Sequence, residues 1–416
     1  MSELATAGAV VAGLLTYQDA ATVGAVAGAV RDGLAAHFAD VPTRIVIVDG
    51  GSTDGTVALA RQALGAADVL DVAPPRSAAD LLDVPYHGIP GKARALQTLL
   101  STACDLRARA CVVFDGSVRT VSPTWVASLA RPIVDEHLDF VSPFFARHSF
   151  EGALTKGVVY PLIRAVYGVR LHQPAAGEFA CSGALASHWL RNDLWERNGA
   201  QAGIDIWLTT TAAMGEFHVA EAPLGVRTHN ARGEEGLDLA ATMAQVIGAL
   251  FADVERNARF WQRSQTRAAV RRLGSTGAAA PANGPAIDAD RLVEAFRLGY
   301  RELRDIWTWV LPPRTIVDLK KLLDLPARAF RLDDDLWARV VYDFTIGYRM
   351  RTVARDHLLR SLVPLYSGWL ASYVGQVQDV PPEAADMKVE ALAEAFERQK
   401  PYLIARWRWP ERLRVE

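Results

Sequence analysis

The residues best placed for chemistry lie in Val112-Val113-Phe114-Asp115-Gly116-Ser117, where an apolar run ends in a carboxylate, a small residue and a hydroxyl. In α/β proteins a polar cluster at the C-terminal end of a buried strand is where ligands are held. Two other stretches have the same character: Arg44 to Asp54, which ends Val48-Asp49-Gly50-Gly51-Ser52-Thr53-Asp54, and Gly225-Val226-Arg227-Thr228-His229-Asn230. A strand-end carboxylate accepts bonds from hydroxyl or N–H groups, and glycines let a ligand approach the backbone. Lys92, beside Gly91 at a helix start, offers a charge and free N–H groups to an anion, and the planar fork of Arg227 suits a phosphate.

These groups need a scaffold, and the chain supplies one. Val10 to Leu15, Ile45 to Val48, Val69 to Val72 and Ala110 to Phe114 are short apolar runs of the kind buried on both faces of a parallel sheet. Between them, Asp19 to Ala36, Thr56 to Leu64 and Gly91 to about Thr102 carry helical spacing. This alternation predicts a mostly parallel sheet with crossover helices. Further strands are expected over Phe140 to Phe145 and Phe217 to Val226, with helices over Pro123 to Ile133, Glu151 to Tyr167, Ile204 to Met214 and Asp238 to Gln262. The segment from His172 to Glu178 is turn-rich.

Around Gly274 to Pro285 the chain becomes small and flexible, and after it the pattern is helical. The expected organisation is residues 1–270 as an α/β catalytic domain, 271–287 as a flexible linker or loop, and 288–416 as a helical domain. Tail aromatics such as Trp307, Trp309, Trp337, Tyr342 and Tyr348 read as core.

The 416 residues suit two domains, and the formal net charge of −2 gives no reason to expect a nucleic-acid partner. Three widely spaced cysteines form neither a disulfide framework nor a zinc motif, so a reducing cytoplasm is expected. The apolar N-terminal run is too short to span a bilayer and reads as a strand, so no membrane span is expected. The helical tail leaves homo-oligomer formation open.

The strand, Asp and Gly-Ser-Thr-Asp turn at Val48 to Asp54 resemble the GT-A nucleotide-sugar glycosyltransferases. Pro90-Gly91-Lys92-Ala93-Arg94-Ala95-Leu96, Phe114 to Ser117, Gln173-Pro174-Ala175-Ala176-Gly177-Glu178 and Gly225 to Asn230 narrow the likeness. In order and spacing they resemble the retaining mannosylglycerate, glucosylglycerate and glucosyl-3-phosphoglycerate synthases over roughly Val10 to Leu250. The resemblance implies a Rossmann-like GT-A domain with a helical extension. It also implies transfer of a hexose from GDP-mannose, UDP-glucose or GDP-glucose to the 2-hydroxyl of D-glycerate or a related small carboxylate, with retention of configuration. The product would be a compatible solute or its precursor.

Residue by residue, the resemblance puts Tyr17, Asp19, Asp49, Ser52, Lys92, Asp115, Gly116, Arg227 and Asn230 at the donor. It puts Gly177, Glu178 and Asp205 at the sugar and acceptor, and Arg147 and Thr155 at the acceptor carboxylate. Asp49 has a competing reading in the helix-cap region, where Ser52 or Asp54 would cap the helix from Thr56. Asp205 is equally a carboxylate favoured by a helix N-terminus, and Arg147 a solvated charge. Same-face attack, with the leaving diphosphate taking the acceptor proton, needs no protein base. Asp205 then orients more than it deprotonates.

A bound Mg²⁺ or Mn²⁺ would take Asp115 and His229, with Ser117 standing where the family's Asp-X-Asp motif carries its second Asp. A serine hydroxyl is a poor substitute for an anionic ligand to a hard cation. Three outcomes follow: Asp115 takes over the metal, water fills the gap, or the metal is weak or absent. Two rival functions are a GT-A transferase with another acceptor (3-phosphoglycerate, a lipid carrier or a glycan) and a sugar-nucleotide-binding protein impaired in catalysis.

Overall fold

A computed structural model describes residues 8–74, 88–196, 203–215, 217–228, 239–265, 269–274, 284 and 287–412. In chain order these form β1 (Val10–Thr16), α1 (Val23–His37), β2 (Thr43–Asp49), α2 (Thr56–Leu64), β3 (Val69–Val72), α3 (Lys92–Asp105), β4 (Ala110–Asp115), α4 (Pro123–Glu136) and β5 (Phe140–Ala146). There follow a π-helical turn (Thr155–Val159), α5 (Tyr160–Tyr167), β6 (Phe179–Ser182), α6 (Gly183–Leu190), α7 (Ile204–Met214), β7 (Val219–Val226), α8 (Leu239–Arg256), α9 (Ala258–Trp261) and β8 (Arg271–Arg272). The last five helices are α10 (Ala289–Val310), α11 (Pro313–Lys320), α12 (Asp334–Met350), α13 (Arg355–Val377) and α14 (Pro382–Arg412).

The strands make one eight-stranded sheet in the order β3-β2-β1-β4-β6-β5-β7-β8. Every pairing is parallel except those of β6, which runs antiparallel to β4 and β5. The expected mostly parallel sheet flanked by helices, with a helical C-terminal region, is therefore what the chain forms.

The alternation of side chains explains how the sheet is covered. Val10, Ala12, Leu14, Ile45, Ile47, Ala110, Val112 and Phe114 share a core with Val23, Val26, Val30 and Leu34 of α1 and Trp125, Val126, Leu129 and Ile133 of α4. On the opposite face α3 comes very close: a Cβ on Gly13 would lie 2.1 Å from Leu99 Cδ2. β1 and β4 are buried along their whole length, so only their C-terminal ends offer polar groups to a ligand.

The compact units interleave along the chain, whereas the sequence suggested a single boundary near residue 270. The first unit is Met1–Ala146, Gln173–Leu237 and Val270–Ala279; the second is Arg147–His172, Asp238–Ala269 and Ala280–Glu416. At the start of the expected linker, Arg271 and Arg272 pair with β7. Arg272 also reaches Glu221 at 3.4 Å and lies 4.0 Å over the Phe144 ring. Residues 275–283 and 285–286 of that linker lie outside the described residues.

Inside the second unit, Arg164 of α5 is fully buried and paired with Glu390 at 2.6 Å and Glu397 at 2.9 Å, both on α14. Trp337 Nε1 donates to Gly157 O at 2.8 Å in the π-helical turn, and Trp337, Trp369 and Tyr373 stack in succession. The tail aromatics Trp307, Trp337, Tyr342 and Tyr348 are buried, as their helical spacing predicted; Trp309 is 66% exposed. Among the described residues no helix is long and apolar enough to cross a membrane.

Candidate active site

Register brings the candidate groups of the first unit to one level. β1 pairs Leu15 with Asp115 of β4 and Thr16 with Asp49 of β2, so both carboxylates stand at the same end of adjacent parallel strands. This is the end at which ligands bind in open α/β sheets.

Asp49 organises its own turn. Oδ1 accepts from Thr16 Oγ1 at 2.8 Å and Ser52 Oγ at 2.6 Å, and Oδ2 accepts from the amides of Gly51 at 2.8 Å and Ser52 at 2.7 Å. Four donors fill the roughly four acceptor positions of a carboxylate, so a nucleotide would have to displace one of them. Ser52 is equally engaged, since its hydroxyl also accepts from the Gln18 amide at 2.9 Å. Gln18 and Thr53 exchange two further bonds, and Asp54 Oδ2 accepts from the Ala20 amide at 3.0 Å. The turns after β1 and β2 are thus zipped together. Asp54 also takes both donors of Thr56, but Gly55 is the residue that caps α2.

Tyr17 and Asp19 belong to the same edge. Asp19 is 1% exposed, and its Oδ2 accepts from the Tyr17 amide at 3.0 Å. Gly116 lies against it: a Cβ there would come within 2.7 Å of Asp19 Oδ2 and 2.9 Å of Thr16 Cγ2. Thr22 Oγ1 holds the Gly116 carbonyl at 2.7 Å. Only glycine leaves the turn after β4 this close to the turn after β1.

The second half of the site is built from two ion pairs. Lys92, at the start of α3 and 3% exposed, donates from Nζ to Asp205 Oδ2 at 2.7 Å. Asp205, in the first turn of α7, is 6% exposed, and its Oδ1 has no hydrogen-bond partner among the described residues. Arg227, just beyond β7, grips the buried Glu178 with Nε to Oε2 and Nη2 to Oε1, each at 3.0 Å. That two-pronged geometry is the strong form of the arginine–carboxylate contact. Gly177 joins the pairs: its φ is +97°, and a Cβ there would sit 3.8 Å from Arg227 Nη2 and 3.9 Å from Lys92 Nζ. Gln173 anchors this turn to β5 by exchanging two bonds with the backbone of Phe145, at 2.8 and 3.3 Å.

At the metal position, Asp115 Oδ1 accepts both the Ser117 amide at 2.9 Å and the Ser117 hydroxyl at 2.8 Å. Ser117 therefore turns its proton toward Asp115 and leaves an oxygen lone pair as its own contribution. His229 and Asn230 lie outside the described residues. The two residues before them do not: Thr228 O accepts from the Arg119 amide at 2.8 Å, and the Thr228 amide donates to Thr120 Oγ1 at 3.1 Å. Among the described residues no three His, Cys, Asp or Glu side chains form a metal-holding group. One carboxylate and one hydroxyl oxygen nevertheless fit Mg²⁺, which keeps several waters and takes its remaining oxygens from substrate phosphates.

Arg147 and Thr155 belong to the second unit. Arg147 Nη1 packs 3.2 Å from where a Gly152 Cβ would be, and Thr155 opens the π-helical turn. Thr16, Gln18, Thr22 and Thr120 were not anticipated as contributors. Thr16 had a signal, as a hydroxyl ending an apolar strand; the others act through partners that lie 34 to 108 residues away.

No family model matches the chain, and no curated protein matches it. Among solved structures it is similar to glucosyl-3-phosphoglycerate synthase from Mycobacterium tuberculosis in complex with Mg²⁺ and UDP. That match has 25% identity over 60% of this chain and 80% of that one, with a TM-score of 0.43. A complex of that synthase with Mn²⁺, UDP-glucose and phosphoglyceric acid aligns at 23% identity, 60% and 80% coverage and a TM-score of 0.42. A structure described only as a mycobacterial protein aligns at 22% identity, 61% and 76% coverage and a TM-score of 0.43. Likeness at this level does not define a substrate.

Proposed function

We propose that the chain is a GT-A hexosyltransferase that moves a hexose from a nucleoside-diphosphate sugar to the 2-hydroxyl of D-glycerate or a related small carboxylate, retaining configuration. The observation that carries this reading is the convergence of Lys92 and Arg227 on the left-handed Gly177 turn, at the ligand-binding end of the sheet. A leaving diphosphate needs cations where its charge develops. Here each cation is already fixed by a carboxylate, Lys92 by Asp205 and Arg227 by Glu178. An unpaired buried charge is strongly unfavourable, so these pairs hold two cations in place before any donor arrives.

In this account Tyr17, Asp19 and the turn from Asp49 to Ser52 shape the wall for the nucleoside. Asp49 is mainly the organiser of that wall, because its four positions are filled. Asp115, Ser117 and His229 would hold a divalent cation, which supplies charge neutralisation at the diphosphate. Glu178 and the unpartnered Oδ1 of Asp205 are acceptors for sugar or acceptor hydroxyls. Arg147 and Thr155 are assigned to the acceptor carboxylate. In the transfer the bond from the anomeric carbon to the diphosphate breaks, the acceptor oxygen bonds to that carbon on the same face, and the acceptor proton passes to the departing diphosphate. Asp205 orients the hydroxyl; no side chain needs to remove its proton.

The test is purified protein mixed with GDP-mannose, UDP-glucose or GDP-glucose and with D-glycerate or 3-phosphoglycerate, with and without Mg²⁺ or Mn²⁺. Formation of an α-linked glycoside from an α-linked donor supports the proposal. An inverted product, or a glycoside formed only on a lipid or glycan acceptor, sinks it in favour of the rival acceptors. Calorimetric binding of nucleoside diphosphate with no turnover on any acceptor would favour the impaired binding protein.

A further inference from the structure

The chain has three cysteines, and the fold gathers all of them under one face of the sheet. Cys111 of β4 and Cys181 of β6 are directly opposed in the antiparallel register. Two places along, the Gly183 amide donates to Arg109 O, which makes 109–183 and, by the two-residue alternation, 111–181 hydrogen-bonded pairs. Such pairs have Cα atoms about 5.5 Å apart, within the range a disulfide requires. Both side chains point away from the face that carries Val112 and Ala180, and both are 0% exposed. Both are free thiols, facing each other across the ladder.

Cys104 is the exception to this burial. It is half-buried at the end of α3, with Sγ 3.4 Å from Ser187 Oγ of α6. It lines a cleft of about 500 Å³ together with Arg107, Arg109, His137 and Ser182. This cleft opens beside the N-terminal end of β4, the opposite end from Asp115. Partly exposed thiols beside cationic groups are the ones that react. Burial first, then Cys111 and Cys104, push the Cys181 thiol well above the ordinary range. Cys181 therefore does not start the chemistry, and the two residues that follow it, Ser182 and Gly183, line the same cleft as Cys104.

We propose that Cys104, Cys111 and Cys181 form a peroxide-responsive thiol site, in which Cys104 meets the oxidant in the cleft and the product is a Cys111–Cys181 disulfide between β4 and β6. Hydrogen peroxide oxidises the Cys104 sulfur to a sulfenic acid, and its O–O bond is broken as the other oxygen leaves as water. The Cys181 thiol displaces water from that sulfenic acid to give a mixed disulfide. Cys111 then attacks the Cys181 sulfur and releases the Cys104 thiol. Overall two thiols lose two hydrogens, and one peroxide becomes two waters. The link would lie four residues before Asp115 (111 to 115) and three after Glu178 (178 to 181), so it would tie together the two strands that position them. The proposal does not depend on what the site at the other end of the sheet binds.

The experiment is native full-length protein treated with hydrogen peroxide, then denatured, alkylated, digested and mapped by mass spectrometry. A dithiothreitol-reversible Cys111–Cys181 peptide, with Cys104 still alkylatable, is the expected result in wild type and needs no variant. In Cys104→Ser, shown to be folded by circular dichroism, the same link should form at least about tenfold more slowly, because the buried thiols lose their entry point. The proposal is overturned if Cys104 is oxidised and no linked peptide appears, or if Cys104→Ser forms the link at the wild-type rate.

Discussion

Replacing Lys92 with alanine removes the ammonium that faces Asp205 at 2.7 Å, in a place where the two side chains are only 3% and 6% exposed. The Asp205 carboxylate then loses its counter-charge, and its other oxygen has no hydrogen-bond partner among the described residues. Breaking a buried pair from one side costs about 3–5 kcal/mol, most of it the uncompensated charge left behind. For a unit of this size that corresponds to a fall of about 6–20 °C in the first unit's melting temperature. Adding Asp205→Asn removes the stranded charge, so the double variant should recover at least about 2 kcal/mol of the loss. The assay is calorimetric unfolding of the four members of this cycle, with nucleoside-diphosphate binding measured alongside. If Lys92→Ala costs less than about 1 kcal/mol, or if Asp205→Asn adds to the loss, the pair is not the closed contact described. If stability falls as expected while diphosphate affinity is unchanged, Lys92 is structural and the donor assignment fails.

Other substitutions address separate parts of the site. Ser117→Asp supplies the second carboxylate and should tighten Mn²⁺ binding at least about tenfold, read by calorimetry; unchanged affinity would mean that Ser117 does not face the metal. Arg227→Lys keeps the charge but loses the fork onto Glu178, and should weaken donor binding by about 1–3 kcal/mol, read from the dissociation constant of the nucleoside diphosphate. A pH effect is expected in the second unit. Burial raises the Asp343 carboxyl to about 7, against the opposing pull of Arg406 and the Tyr402 hydroxyl. An acid whose folded value lies above its unfolded one holds its proton longer in the folded chain, so stability falls as pH rises from about 4 to about 7. Asp343→Asn should flatten that slope; an unaltered slope would locate the titration elsewhere.

The fold was legible where one physical signal dominated. β1, β2 and β4 are apolar runs buried on both faces, and their ends at Thr16, Asp49 and Asp115 fall within a residue of the expected boundaries. β6 and α6 received no assignment, because Phe179-Ala180-Cys181-Ser182 is four residues of mostly small side chains with no periodicity to read. The helix expected over Glu151 to Tyr167 contains a π-helical turn, set by Trp337 bonding to Gly157 and Trp369 packing on it, contacts no local pattern reveals. The interleaving of the two units is invisible for the same reason, since Arg164 finds Glu390 and Glu397 more than 200 residues away.

At the site, residue types were easier to read than their partners. Gly177 and Glu178 were singled out as a turn, and Lys92 and Arg227 as cations. Their assembly into two ion pairs depends on separations of 113 and 49 residues. Asp49 shows the converse, because its local sequence suggested a ligand contact beside a helix cap by Ser52 or Asp54, and its four hydrogen bonds make it the centre of the turn.

The central claim is that this strand-end cluster transfers a hexose with retention. The most direct measurement is proton magnetic resonance of the anomeric signal during reaction of an α-linked nucleoside-diphosphate hexose with D-glycerate and Mg²⁺. The account predicts an α-linked glycosylglycerate appearing in step with nucleoside diphosphate. A β-linked product, or donor that stays intact with every small carboxylate acceptor tried, would contradict it.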